Sequence, residues 1–148
     1  MSVDVAPEIV INRPRTEVAA FMFEPKFDVL WTTGIVDCKP LTDGRLRTGS
    51  RVERVSKFLG RRFSYLVDVT DHGEDRFVLM KVTQPFPMEI RYELEDVSGG
   101  TLARIRAKGD ATGFFRLAGP FMSRMVRKSI GADLAKLKEC IEERAPAT

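Results

Sequence analysis

Histidine is almost absent from this chain: His72 is the only one. That leaves little for the commonest form of general acid–base catalysis or for imidazole ligation of a metal. His72 lies in Asp71-His72-Gly73-Glu74-Asp75, a polar run that reads as an exposed hairpin turn rather than a pocket wall. The acids around it lack the alternation and length of a calcium loop. A Gly-rich phosphate loop, a nucleophile elbow and a His-Glu-x-x-His pattern are all missing. No metal site and no cofactor is therefore expected. Cysteine is nearly as scarce: Cys38 and Cys140 stand far apart, without metal-ligand spacing. The opening Met1-Ser2-Val3-Asp4-Val5 lacks the basic and apolar regions of a signal peptide. The expectation is of reduced thiols in a cytoplasmic protein, each behaving as a small apolar residue in the core or at a pocket wall. Long apolar runs are missing too, which excludes a membrane-spanning helix.

Charge of one sign is not in large excess. A net charge of +3 does not argue for a nucleic-acid partner. Its distribution is uneven, however. Between Arg104 and Lys128 there are seven basic residues (Arg104, Arg106, Lys108, Arg116, Arg124, Arg127 and Lys128) against one acid, Asp110. Such a stretch is either the solvated outer face of a strand and a helix or a surface that meets an anionic membrane peripherally or an acidic ligand group.

What the chain does hold is an ordinary globular composition, 43% apolar and 30% charged, over 148 residues. That is the size of one domain, spanning residues 1–148, and a globule of this length buries roughly 70% of its unfolded surface. Val3, Val5, Ile9 and Ile11 alternate as a first strand, interrupted at Pro7. Pro14 and Pro25 each open a short helix over residues 14–32. Val18, Phe21 and Met22 form the apolar face of the first; Phe27, Leu30 and Trp31 form that of the second. From Gly34 the period changes to two. Strands are expected at 35–41, 50–59, 62–70, 76–83, 88–97 and 101–111, with Gly-, Pro- or Asp-rich turns between them. Strands so closely spaced pair as an antiparallel meander. One face is apolar (Met88, Ile90, Tyr92, Leu94; Phe63, Tyr65, Val67, Val69) and the other polar, so one side of the sheet is covered. Small residues on the covered face of the last strand, Ala103, Ala107 and Gly109, leave room for a close approach.

The covering element is a helix over about residues 120–144. Met122, Val126, Ile130, Leu134, Leu137 and Ile141 step by threes and fours, with Phe121 and Met125 widening the stripe and the tail running out through Pro146. Gly131 in mid-helix marks either a tight backbone contact or a tolerated weak position.

Several stretches resemble a known family. Ile9-Val10-Ile11-Asn12-Arg13-Pro14 followed by Glu17-Val18 resembles its passage from first strand to first helix. Phe27 to Trp31 is similar to its second short helix, and Gly49 to the turn into its third strand. Ala132 to Glu139, with Leu134, Leu137 and Lys138, resembles its terminal helix. Across the whole chain the order of elements resembles the START-like (SRPBCC) superfamily, in its polyketide cyclase/dehydrase branch. The resemblance implies an α+β helix-grip fold. A curved antiparallel sheet of about seven strands, with two short helices after the first, would wrap a long C-terminal helix over a cavity. It also implies a cavity used for lipids, sterols, polyketides or other apolar small molecules, and no single activity.

Candidate ligand-binding residues follow from the inward faces. Arg54 shares a face with Val52 and Phe58 if its strand is regular, and a buried arginine needs a carboxylate or an anionic ligand group. The alternative is a bulge or snorkelling that carries it outward. Tyr65 and Tyr92 offer hydroxyls to a ligand carbonyl, or are core residues with satisfied hydroxyls. Trp31 either caps the core or forms a ligand platform. Met80, Met88, Phe115, Met122 and Met125 are adaptable apolar lining, which an ordinary core would equally use. Phe114–Leu117, flanked by Gly113, Gly119 and Pro120, has the makings of a movable lid. No catalytic dyad is visible. Binding of a hydrophobic small molecule or lipid, as carrier or sensor, needs the fewest assumptions. A cyclase or dehydratase would require Arg54, Tyr65 and Tyr92 to converge. An interaction protein would use the basic stretch.

Overall fold

A computed structural model describes residues 3–144; the expected run of the tail through Pro146 lies outside them. Eight strands form one antiparallel sheet in the order β1-β8-β7-β6-β5-β4-β3, with β2 also on β8. The count exceeds seven because Pro7 splits the first strand into β1 (Val3–Val5) and β2 (Glu8–Ile11). Both pair with β8 (Gly100–Gly109), Val5 opposite Ala107 and Glu8 opposite Arg104. Pro7 has no N–H to give the ladder, yet its carbonyl still accepts from the Ile105 amide at 3.1 Å. Gly100 permits this edge to close, since a Cβ there would lie 2.1 Å from the Ile11 carbonyl oxygen.

Helix α1 (Arg15–Met22) starts after Pro14, whose extended backbone offers its carbonyl to Glu17 and Val18. A 3-10 turn (Pro25–Phe27) leads directly into the single turn of α2 (Asp28–Trp31). Here the expected apolar face holds for Phe27 and Trp31, which join the core, and fails at Leu30. Leu30 is 51% and Val29 48% exposed, whereas Asp28 and Trp31 are fully enclosed. One helical turn presents a single i, i+3 edge to the core, and that edge is Asp28 with Trp31.

The meander continues through β3 (Ile35–Pro40), β4 (Arg51–Phe58), β5 (Arg61–Gly73), β6 (Phe77–Val82), β7 (Met88–Val97) and β8. Strand β5 runs past its expected end. A bulge between Val69 and Asp71 resets the register so that His72 pairs with Val78 and Gly73 with Phe77. The turn therefore shrinks to residues 74–76, where Asp75 takes a positive φ and meets Arg45 at 2.9 Å. His72 is exposed as expected, but on a strand end, where its Nδ1 accepts from the Thr48 amide at 2.9 Å.

After a short α3 (Thr112–Phe115), α4 (Gly119–Glu142) lies across the covered face, burying Met122, Leu134, Leu137 and Ile141. Phe121 does not widen that stripe; it is 45% exposed. A Cβ at Gly131 would meet open space, so this glycine is a tolerated weak position and not a tight contact. The close approach at Gly109 comes from the Pro87 carbonyl, which a Cβ would reach at 2.5 Å, and not from the helix. No described helix is long and apolar enough to cross a membrane.

On the outer face the basic stretch is partly neutralised. Arg104 bonds Glu8 and Glu93, and Arg106 bonds Asp4, each across neighbouring strands. Arg124, Arg127 and Lys128 remain exposed on α4. Inside, buried apolar residues form two clusters. The larger joins Trp31, Val67, Val78, Met80, Tyr92 and Leu134 among others. The smaller joins Val3, Val5, Phe86, Ala111 and Met122, flanked by Phe58, Phe63 and Phe115. The arrangement is the α+β helix-grip fold.

Candidate functional site

Between the two clusters lies a cavity of about 200 Å³. A dry apolar cavity of roughly 150 Å³ is enough to hold benzene, so this one takes a ligand body of about one to two rings. Its walls come from the inward faces of β4, β5, β7 and β8, closed by α2, α3 and the first half of α4. The alternation of β4 is regular. Val52, Arg54 and Ser56 are buried while Arg51, Glu53 and Lys57 face water, so no bulge turns Arg54 outward. Exposed Lys57 and Lys108 are also part of the lining and mark where the cavity meets solvent.

Eight of the ten expected binding residues line this space: Trp31, Arg54, Phe58, Tyr65, Met88, Tyr92, Phe115 and Met122. Two do not. Met80 is wholly buried behind Arg54, its sulfur 3.9 Å from Nη1. Met125 is half-buried on α4, one position round from the face that Met122 and Val126 turn inward.

The inner end is polar. Arg54, 1% exposed, donates from Nε (3.1 Å) and Nη2 (2.7 Å) to a single oxygen, Oδ2 of Asp28, which is 0% exposed. Burial alone would lower the pKa of Arg54, but the Asp28 carboxylate, helped by Tyr92 and Tyr65, holds it well above the ordinary arginine value. Burial pushes the hydroxyls of Tyr65 and Tyr92 up, against the pull of the Arg54 guanidinium close to both. The Tyr65 hydroxyl shares a hydrogen bond of 2.8 Å with Ser56. Trp31 meets Tyr92 edge-on, with ring centroids 5.8 Å apart. Its indole N–H, though buried, has no partner among the described residues.

Asp28 escaped sequence reasoning. It sits within Phe27-Asp28-Val29-Leu30-Trp31, where apolar neighbours draw attention and a lone acid reads as the wet side. The available signal was the unpaired cation: an inward Arg54 demands a carboxylate, and an acid three residues before an inward tryptophan shares its face. Cys38 donates to the same Oδ2 at 3.3 Å, and burial together with Asp28 pushes its thiol up to about 12, which leaves it a poor nucleophile. His72 lies outside the cavity lining.

The mouth is aromatic. Phe58, Phe63, Phe86, Phe114 and Phe115 form a cluster with ring centroids 4.9 to 5.9 Å apart. The Arg61 guanidinium lies 3.6 Å above the Phe114 ring and donates to its backbone carbonyl. On the rim, Asp133 of α4 accepts from the Thr33 amide (2.8 Å) and hydroxyl (2.9 Å), tying the helix to the α2–β3 link. Burial raises the Asp133 carboxyl, and these two hydrogen bonds lower it in part. Chemically, the site offers a donor-rich inner end and an apolar body.

No family model matches the sequence, and no curated protein is similar to it. Solved structures are similar in fold. A START superfamily protein from Mycobacterium smegmatis is 14% identical, covering 95% of this chain and 97% of its own, at a TM-score of 0.77. The di-domain ARO/CYC StfQ from the steffimycin biosynthetic pathway is 10% identical at a TM-score of 0.78. That match spans 97% of this chain but 52% of StfQ. A protein from Nitrosomonas europaea is 18% identical, covering 95% of both chains, at a TM-score of 0.74. At such identities the likeness is one of fold, and the chain has the START-like helix-grip fold.

Proposed function

We propose that the protein binds a hydrophobic small molecule or lipid in the cavity between sheet and α4, as a carrier or sensor, and leaves it chemically unchanged. The observation that carries this reading is the cavity of about 200 Å³, apolar along its body, with polar groups at its inner end and on its rim. Such a shape removes an apolar ligand from water while a few hydrogen bonds fix its orientation. The free thiols of Cys38 and Cys140 support a reducing compartment, the cytoplasm. Exposed Phe121 beside Arg124, Arg127 and Lys128 supports peripheral contact with an anionic membrane from which an apolar ligand would be taken. The test is native mass spectrometry of the purified protein, followed by denaturing extraction and identification of what is released. A stoichiometric apolar molecule is expected. A bare chain that also fails to bind an apolar dye would end the reading.

A second reading, a cyclase or dehydratase acting on a polyketide-like substrate, draws on one specific observation. The hydroxyls of Tyr65 and Tyr92 both lie against Arg54. Hydrogen-bond donors gathered there would stabilise the oxyanion of an enolate as it forms. The fold likeness to an ARO/CYC domain supports the same direction. Turnover of a poly-β-ketone that disappears in Tyr92→Phe, with binding retained, would favour this reading over simple carriage.

A further inference from the structure

The inner end of the cavity holds more to say about its ligand than its apolar walls do. Its cation is already matched. Both Nε and Nη2 of Arg54 are committed to Oδ2 of Asp28, so the enclosed pair carries no net charge. Donors nevertheless remain. Nη1 reaches the Met80 sulfur at 3.9 Å, a weak acceptor, with the Tyr65 and Tyr92 hydroxyls close to the same guanidinium. Trp31 is 1% exposed, lines the cavity, and has an N–H with no partner among the described residues. Of the paired hydroxyls of Ser56 and Tyr65, one donates to the other, which leaves the second O–H free to donate. The acceptors lining this end are neutral hydroxyl oxygens, those of Ser56, Tyr65 and Tyr92. Asp28 has an unpartnered oxygen, Oδ1, but Asp28 is not part of the cavity lining.

A carboxylate or phosphate entering this end would lose its hydration to face a guanidinium already neutralised, with the Asp28 charge close behind it. A burial of that kind is unfavourable without a net opposite charge. A neutral carbonyl oxygen meets no such penalty and can accept from whichever of these donors it reaches, in charge-assisted fashion where the donor is the guanidinium. We propose that the cavity selects ligands whose buried end is a neutral hydrogen-bond acceptor (a ketone, enone or amide carbonyl) on an apolar ring body, and that Asp28 sets this selection by neutralising Arg54. The proposal rests on the binding reading above and names the ligand class for that same site.

Three probes of one shape test it: 2-acetylnaphthalene, naphthalene and 2-naphthoate, titrated against the full chain by calorimetry at neutral pH. The ketone is expected to bind on the order of tenfold more tightly than naphthalene, the worth of one hydrogen bond to a charged donor. It should exceed naphthoate by at least about tenfold. In Asp28→Asn, which keeps an oxygen for Arg54 but removes the negative charge, the preference should invert in favour of naphthoate. If that variant does not fold, Trp31→Phe should shrink the ratio of ketone to naphthalene affinity while both still bind. Naphthoate binding as tightly as the ketone in the unaltered protein would overturn the proposal and leave the binding reading standing. Failure of all three probes, together with an apolar dye, would overturn both.

Discussion

At the inner end of the cavity Asp28 and Arg54 meet through 3.1 and 2.7 Å hydrogen bonds, enclosed from water, with two tyrosine hydroxyls and an indole around them. At the mouth, five phenylalanine rings stand 4.9 to 5.9 Å apart under an arginine. Both ends use the same sheet and the same helix, but they tolerate change differently. An enclosed ion pair joins two residues that cannot be replaced one at a time, because either alone is an uncompensated charge. Ring contacts are non-directional and shared among several neighbours, so one can be trimmed and the rest can close in. The inner end is therefore suited to orientation and selection, and the mouth to admitting apolar bodies of varied outline.

The sharpest way to break this contrast is Asp28→Ala. It leaves Arg54 charged, buried and unpaired, and should cost about 3–5 kcal/mol in urea unfolding. An unchanged midpoint would mean that water reaches the guanidinium and that the inner end is not dry. Phe115→Leu, at the mouth, should cost less than about 1.5 kcal/mol while altering the affinity for apolar dyes measurably. A loss as large as that of Asp28→Ala would erase the distinction between the two ends.

Titration sharpens it further. Burial raises Tyr65, Tyr92, Cys38 and Cys140 above their ordinary values of 10.0 and 9.0, so the folded chain holds these protons more tightly than the unfolded one. Where the unfolded state binds fewer protons, stability falls as pH rises. Unfolding free energy should hold level from neutral pH to about pH 9 and decline above it, with a shallower decline in Tyr92→Phe than in the unaltered chain. Phe115→Leu should leave that slope alone. The smallest effect is expected on the rim. The raised Asp133 carboxyl contributes stability that is present below its unfolded value of 3.8 and lost as pH rises through its folded one. Asp133→Asn keeps an oxygen for the Thr33 amide and hydroxyl, so its melting temperature should rise slightly at pH 7 and not at pH 3. A fall at pH 7 would show that the carboxylate charge itself holds α4 to the α2–β3 link.

Local pattern determined a good deal of this protein. Alternation along β4, β5 and β7 and the three-four stepping from Met122 to Ile141 specify which faces turn inward, because each depends on the period of its own element. Those periods point to a one-sided antiparallel sheet under a long helix, and to Arg54, Tyr65 and Tyr92 on its inner face. Elements too short to show a period, or interrupted by a bulge, were misread. A single turn at α2 gave Leu30 to solvent and Asp28 to the core, and the bulge after Val69 carried β5 into a presumed turn. Only the tertiary structure decided that Asp28 is the partner of Arg54, across 26 residues of chain. It also decided that Glu8, Glu93 and Asp4 neutralise part of the basic stretch, and that Met80 backs the arginine while Met122 lines the cavity. Those pairings depend on which strand lies beside which and on how far the sheet curls over α4. Hydropathy along one chain carries no information about distances between segments remote in sequence.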